Sequence, residues 1–282
     1  MVARCDSSAW ELMLKDITLG QFYPADSVIH RLDPRVKLFS TILYIVALFL
    51  VNGIAGWIVV TAFLICMIAL SKVPFGFMCK GVRAIWVLIV ITAVCNLFFT
   101  QAEDVVCRLG VITLTGTGIH NTIYYSLRLI FLVVGTSVMT LTTSPNKLTD
   151  GMEEGLRLFS RIGIPVHEIA MMMSIALRFI PILAEEADKI KKAQMARGAG
   201  FDEGGLLQKA KSLIPILVPL FVSAFRRAND LSLAMEARCY RGGEGRTKMK
   251  PLVYERRDYT AYAVILLFMA AVIAIRVLYI VL

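Results

Sequence analysis

From Leu38 to Ser71 the chain carries no charged side chain, an apolar run of 34 residues. One helix, rising about 1.5 Å per residue, would overshoot a hydrocarbon core of about 30 Å. Asn52, Gly53 and Gly56 sit near the middle of the run. These turn-forming residues divide it into two spans, roughly Leu38–Val51 and Ala55–Leu70. Further apolar stretches predict a third span over roughly Ala84–Thr100, a fourth over roughly Thr122–Leu141 and a fifth over roughly Tyr259–Leu282. Between the third and fourth, Val105–Thr117 alternates loosely and is rich in Thr and Gly, which suggests a short interfacial hairpin.

The pattern changes after the fourth span. Thr142–Asp258 holds 19 basic and 14 acidic residues, yet it keeps the apolar runs Ile169–Leu177 and Leu213–Phe225. The first run meets Arg178 and Pro181; the second is 13 residues long and contains Pro215 and Pro219. Both read as buried or interfacial helices rather than spans. Ile169, Met173, Ala176, Ile180, Leu183, Ala187 and Ile190 recur at helical steps, as do Leu213, Leu217, Leu220, Ala224, Ala228, Leu231 and Met235. A shorter helix over about Asn146–Ile162 precedes them, opened by Ser144-Pro145 and ended near Gly163 and Pro165. The expected fold is an all-α integral membrane protein. It has an N-terminal segment (1–37), four transmembrane helices (38–141), a domain of about three amphipathic helices (142–258) and a final transmembrane helix (259–282).

Composition agrees: 57% of residues are hydrophobic, 18% are charged and the mean hydropathy is +0.70, outside the range of ordinary soluble domains. The net charge of +9 raises nucleic acid as a partner in a soluble protein, but here it reports topology. With five spans and a cytoplasmic N-terminus, 27 of the 30 Lys and Arg residues fall on the cytoplasmic side and the C-terminus falls outside. The lead before the first span mixes Arg4, Asp6, Glu11, Lys15 and Asp16, unlike a cleaved signal peptide, so the N-terminus is expected to be retained. The six cysteines are scattered with no C-x-x-C pair, which predicts neither a disulfide framework nor a zinc site. Arg128 and Arg276 lie at span edges, where a long stem can snorkel to the interface.

The two amphipathic helices end alike, one in Ala196-Arg197-Gly198 and the other in Ala237-Arg238-Cys239. An arginine at a helix tip offsets the helix dipole, or it presents a fixed charge to a partner. Before the first span, Asp33-Pro34-Arg35 and Lys37 form a membrane-edge anchor in which proline starts the helix and the cations meet lipid headgroups. The alternative for this group is anion binding. There is no phosphate loop of the G-x-x-x-x-G-K-[ST] type, and His30, His120 and His167 lie far apart without the spacing of a metal site.

These residues together resemble the T component of energy-coupling factor transporters, the family that includes the cobalt-transport Q subunit. The likeness rests on His30-Arg31-Leu32-Asp33-Pro34-Arg35-Val36-Lys37-Leu38, on Thr143-Ser144-Pro145, on Arg178-Phe179-Ile180-Pro181 and on the two arginine-centred tripeptides. Ala234-Met235-Glu236-Ala237-Arg238 is its most specific piece, and Cys239 departs from the glycine expected there. The resemblance implies a prokaryotic plasma-membrane subunit that is not itself an enzyme and binds no cofactor. Two ABC ATPase subunits would use ATP and Mg and attach at Ala196–Gly198 and Ala237–Cys239. One or more small substrate-binding membrane subunits would capture a vitamin or metal ion and dock on apolar coupling-helix surface that includes Met172, Met173, Leu217 and Phe221. Methionines suit a surface that repacks, or they simply fill a core.

Two rival readings predict features of their own. A secondary transporter should carry paired ionisable residues or broken repeated helices inside its spans. A membrane-embedded enzyme should gather His, Asp or Glu at one interface.

Overall fold

The computed structural model describes residues 22–99, 105–109, 112–157, 162–163, 165–199, 206–242 and 251–281. The charged lead at Arg4–Asp16, Cys5, and Gly110 and Val111 of the expected hairpin lie outside them. Among the described residues, nine helices and one hairpin follow in order: α1 (Pro34–Leu50), α2 (Gly53–Ser71), α3 (Phe75–Ala84), α4 (Trp86–Phe99), β1 (Val105–Leu109), β2 (Ile112–Thr115), α5 (Gly116–Thr142), α6 (Pro145–Leu156), α7 (Val166–Ala196), α8 (Leu206–Ala237) and α9 (Arg256–Val281). The protein is an all-α membrane protein apart from that antiparallel hairpin, in which Leu109 pairs with Ile112 and Arg108 with Thr113.

The described residues form two compact units, one built from those up to Met152 together with those from Leu252 onward, the other from those within Glu153–Pro251. In the first, α1, α2, α5 and α9 enclose the core. Tyr44, Leu48, Val60, Leu64, Val138 and Phe268 are buried there, and the Phe63 and Phe268 rings stack 4.1 Å apart. Helices α1 and α5 touch closely because Gly135 leaves room. A Cβ added at that position would lie 2.1 Å from Cε1 of Tyr44, whose hydroxyl donates to the Phe131 carbonyl at 3.0 Å. The outer faces are apolar and exposed, as at Ile58, Leu267 and Val281, which suits lipid contact.

The predicted third span is corrected by the structure. The helix starts at Phe75, after Pro74, and breaks at Ile85, so that α3 and α4 form a pair bent by 56°. Ile85 leaves helical geometry at φ −101°, ψ 8°, and its N–H turns back to Val82. The fourth span also begins sooner, at Gly116, because Thr115 caps α5 by accepting the Gly118 N–H at 3.2 Å. Helix α6 is described over Pro145–Leu156, and most of the rest of the expected stretch to Ile162 lies outside the described residues.

By length and composition, α2, α5, α7 and α9 are long and apolar enough to cross a membrane, and the bent α3–α4 pair makes a fifth. Helix α1, at 17 residues, is about 25 Å long and just shorter than a typical span. Helix α7 qualifies through its first half, since the helix continues through Pro181, as the periodicity from Ile169 to Ile190 predicts. Its second half carries Glu185, Glu186, Asp188, Lys189, Lys191 and Lys192.

Arg128 on α5 lies level with the α1–α2 turn. It donates to the Tyr124 hydroxyl at 2.7 Å, its guanidinium stands 4.6 Å from the Tyr124 ring and 5.3 Å from the Phe49 ring, and the Tyr124 hydroxyl donates to the Val51 carbonyl.

Candidate coupling surface and the membrane-edge cluster

Helices α7 and α8 make up most of the second unit and run antiparallel. Glu186 faces Ser223 and Arg227, while Gln194, further along α7, donates to the Pro215 carbonyl, earlier on α8, at 3.3 Å. The Glu186 carboxylate takes the Ser223 hydroxyl on one oxygen and a two-pronged Arg227 guanidinium on the other, at 3.1 and 2.7 Å. The serine first, and then the arginine, hold its pKa below the ordinary value. This clamp was not foreseen from the sequence, because Glu186 and Arg227 become neighbours only through the cross-helix register.

Each helix ends in the same backbone motif. At the end of α7, Gly198 adopts φ 87°; its N–H donates to Met195 at 3.0 Å and the Ala199 N–H donates to Gln194 at 3.0 Å. At the end of α8, Cys239 adopts φ 57°; its N–H donates to Glu236 at 2.8 Å and the Tyr240 N–H to Met235 at 3.1 Å. This pair of crossed bonds is the Schellman arrangement, which satisfies carbonyls that a helix end leaves open. Both arginines occupy the last position before the left-handed residue, and Ala196, Arg197, Gly198, Ala237, Arg238 and Cys239 are all exposed. Cysteine thus replaces glycine without changing the turn, although a left-handed conformation is unfavourable for a side chain with a Cβ.

The antiparallel register sets the two tips at opposite ends of the pair. Arg197 lies one turn beyond Gln194, and Gln194 meets Pro215 near the start of α8. Arg238 closes the other end, so the tips are separated by about 35 Å of helix. Between them the pair is strongly apolar on its surface: Met172 is 59% exposed and Phe221 61%, and Met173 and Leu217 are exposed as well. The register puts Met172 and Met173 toward the Arg238 end and Leu217 and Phe221 toward the Arg197 end, so these four span the pair rather than forming one spot.

The membrane-edge residues form a different kind of cluster. Asp33 is 7% exposed; its Oδ1 accepts the Arg35 N–H at 2.9 Å, and Pro34 opens α1. Arg35 donates to the Leu252 carbonyl at 2.9 Å and stacks over Tyr254 at 4.9 Å. Lys37 turns inward, toward the end of α5. It is 6% exposed, and its Nζ donates to the Thr142 carbonyl at 2.8 Å and to the His30 carbonyl at 3.5 Å. The inward turn satisfies the last carbonyl of α5, an end the sequence pattern left without a partner. Asp258, which the sequence reading passed over, completes the cluster from the first turn of α9 and is 2% exposed.

The histidines are separate here too. His167 meets Glu153 at 2.9 Å, and His30 sits between Ser27 and the Tyr23 carbonyl.

A family model described as Cobalt transport protein matches residues 25–249. The chain is 54% identical to the energy-coupling factor transporter transmembrane protein EcfT of Clostridium kluyveri, over 88% of this chain and 93% of that one. The chain belongs to this family. It is 51% identical to the protein of the same name from Acidaminococcus fermentans, over 87% and 91% of the two chains, and 42% identical to that of Bacillus subtilis, over 93% and 98%. As a family member it is the multi-pass transmembrane component of an energy-coupling factor transporter and works within a transporter complex of the plasma membrane. The rival of a free-standing secondary transporter is thereby set aside.

Proposed function

We propose that the chain couples two ABC ATPase subunits to a separate substrate-binding membrane subunit, for import of a vitamin or metal ion. The observation that carries this reading is the pair of identically capped, exposed arginines at opposite ends of the α7–α8 pair. Two tips at opposite ends of about 35 Å of helix suit two ATPase subunits, one at each end. Arginine stays charged and offers five donors in a planar fork, so it can hold partner carbonyls or carboxylates while the partner moves. Ala196–Gly198 and Ala237–Cys239 are the attachment points, and the apolar surface between them, including Met172, Met173, Leu217 and Phe221, takes the substrate-binding subunit.

The chain is not itself an enzyme in this reading; ATP and Mg are bound by the partner ATPases. Helices α1, α2, the α3–α4 pair, α5 and α9 cross the membrane. The N-terminus and α6–α8 face the cytoplasm, with the C-terminus outside, as the distribution of Lys and Arg favours. Helix α7 belongs to the coupling segment because its second half is charged and clamped to α8.

Purification of the tagged chain from its native membrane in mild detergent, with mass spectrometry of the proteins that accompany it, tests this reading. Two ABC ATPases and one or more small hydrophobic proteins are expected. Recovery of the chain alone, or as a homo-oligomer, across several detergents would overturn it.

A further inference from the structure

Within the first unit a cavity of about 270 Å³ opens between α1, α2, α5 and α9, slightly below the range of about 300–1,000 Å³ usual for ligand pockets. Its two ends differ chemically. One end holds Lys37 in the first turn of α1, Arg257 in the first turn of α9, and the hydroxyls of Thr41 and Thr260. The other is walled by Phe63, Leu64, Val138 and Ile265. Ile265 lies just over two turns into α9 from Arg257, so the cavity reaches about 12 Å into the bundle.

The cations at the polar end have unused donors. Lys37 has three N–H groups and two carbonyl acceptors among the described residues. Arg257 gives one nitrogen to Glu255 at 2.8 Å, while its Nε is buried with no partner. The nearby carboxylate of Asp258 is occupied by the Asp33 and Glu255 backbone N–H groups. A buried guanidinium nitrogen without an acceptor is costly unless something supplies one.

We infer that this cavity binds one phospholipid with an anionic headgroup, its phosphate on Lys37 and Arg257 and one acyl chain in the slot toward Phe63 and Ile265. A site between membrane-spanning helices is reached most directly by lipid. The gradient from cations to hydrocarbon matches an anionic amphiphile, and basic pockets between transmembrane helices are a recognised way to hold such headgroups. This site is independent of the arginine tips on α7 and α8.

The test uses the transporter complex purified from its native membrane and reconstituted into phosphatidylcholine vesicles containing phosphatidylglycerol with a photoreactive group in one acyl chain. Crosslinks are expected to concentrate on the peptides carrying Val138–Thr142 and Ala261–Ile265. Arg257→Gln should lower them about fivefold, the loss expected for one basic group at an anionic headgroup. Ala261→Phe, which fills the slot and leaves the cations in place, should lower them similarly and serves if the first variant fails to assemble. Labelling spread evenly over lipid-facing residues such as Ile58 and Leu267, or unchanged in both variants, would overturn the inference. So would equal labelling by photoreactive phosphatidylcholine, or displacement of the label by inorganic phosphate alone.

Discussion

The backbone N–H of Asp33 donates to Oδ1 of Asp258 at 2.9 Å, joining the start of α1 to the first turn of α9 across 225 positions of sequence. The other oxygen of Asp258 accepts the Glu255 N–H at 2.8 Å. One buried carboxylate therefore satisfies a backbone donor at each of two helix starts. Replacing it with alanine strands both donors, at about 1–3 kcal/mol each. Asp258→Ala should lower the unfolding free energy by about 2–6 kcal/mol, and Asp258→Asn, which keeps one acceptor, by less. Thermal unfolding of the purified chain in detergent measures the difference; equal melting temperatures for Asp258→Ala and the parent would contradict this account of the cluster.

His30 makes a pH-dependent contribution of defined sign. Its Nε2 faces the Tyr23 carbonyl at 2.9 Å, so it carries the proton, and Nδ1 accepts from the Ser27 hydroxyl at 2.7 Å. Burial, with help from Lys37 and Lys147, holds its pKa below 6.5. The fold thus prefers neutral His30. Its contribution is complete above pH 6.5 and is lost as pH falls through that value toward the lower folded pKa. Hydrogen-exchange protection at Tyr23–Ile29, measured relative to the intrinsic rate at each pH, should fall on going from neutral to mildly acidic pH in the parent chain, and much less in His30→Gln.

The left-handed conformation of Cys239 gives a stabilising substitution. Cys239→Gly removes a Cβ from a position at φ 57° and should raise stability by up to about 1 kcal/mol, part of the conformational gain being offset by glycine's freedom in the unfolded chain. Cys239→Val should do the reverse, since a β-branched residue tolerates that backbone least. Parallel melting curves and co-purification of the ATPase subunits would check that the turn, rather than the thiol, matters.

The apolar helices were legible because apolar runs bounded by Gly, Pro and charges leave few alternatives, although α7 too has the length and apolarity of a span and α1 falls just short. Even the hairpin at Val105–Thr115 was visible in its alternation. The kink at Ile85 was not, because nothing in the run from Ala84 to Thr100 other than local backbone geometry marks it. The arginine tips could be read from capping chemistry at Gly198, and from the resemblance at Cys239. Asp258 and the inward turn of Lys37 were hidden, since each depends on partners 100 or more positions away, Thr142 for Lys37 and Asp33 for Asp258. The Glu186–Arg227 clamp depends in the same way on how α7 and α8 are registered.

That clamp gives a further prediction. Glu186→Gln and Arg227→Gln should each loosen the α7–α8 pair, and the double variant should be little worse than either alone, because the two act through one contact. The readout is substrate uptake per ATP hydrolysed in reconstituted vesicles. Fully additive losses would show that the two residues act separately.

The central claim is that Arg197 and Arg238 connect the chain mechanically to its ATPases. It is tested most directly by reconstituting the complex with Arg197→Ala and Arg238→Ala combined, and measuring ATP hydrolysis and substrate uptake in the same vesicles. Normal membrane insertion with lost ATPase attachment, or with hydrolysis that no longer drives uptake, is the predicted result. Undiminished uptake in the double variant would contradict it.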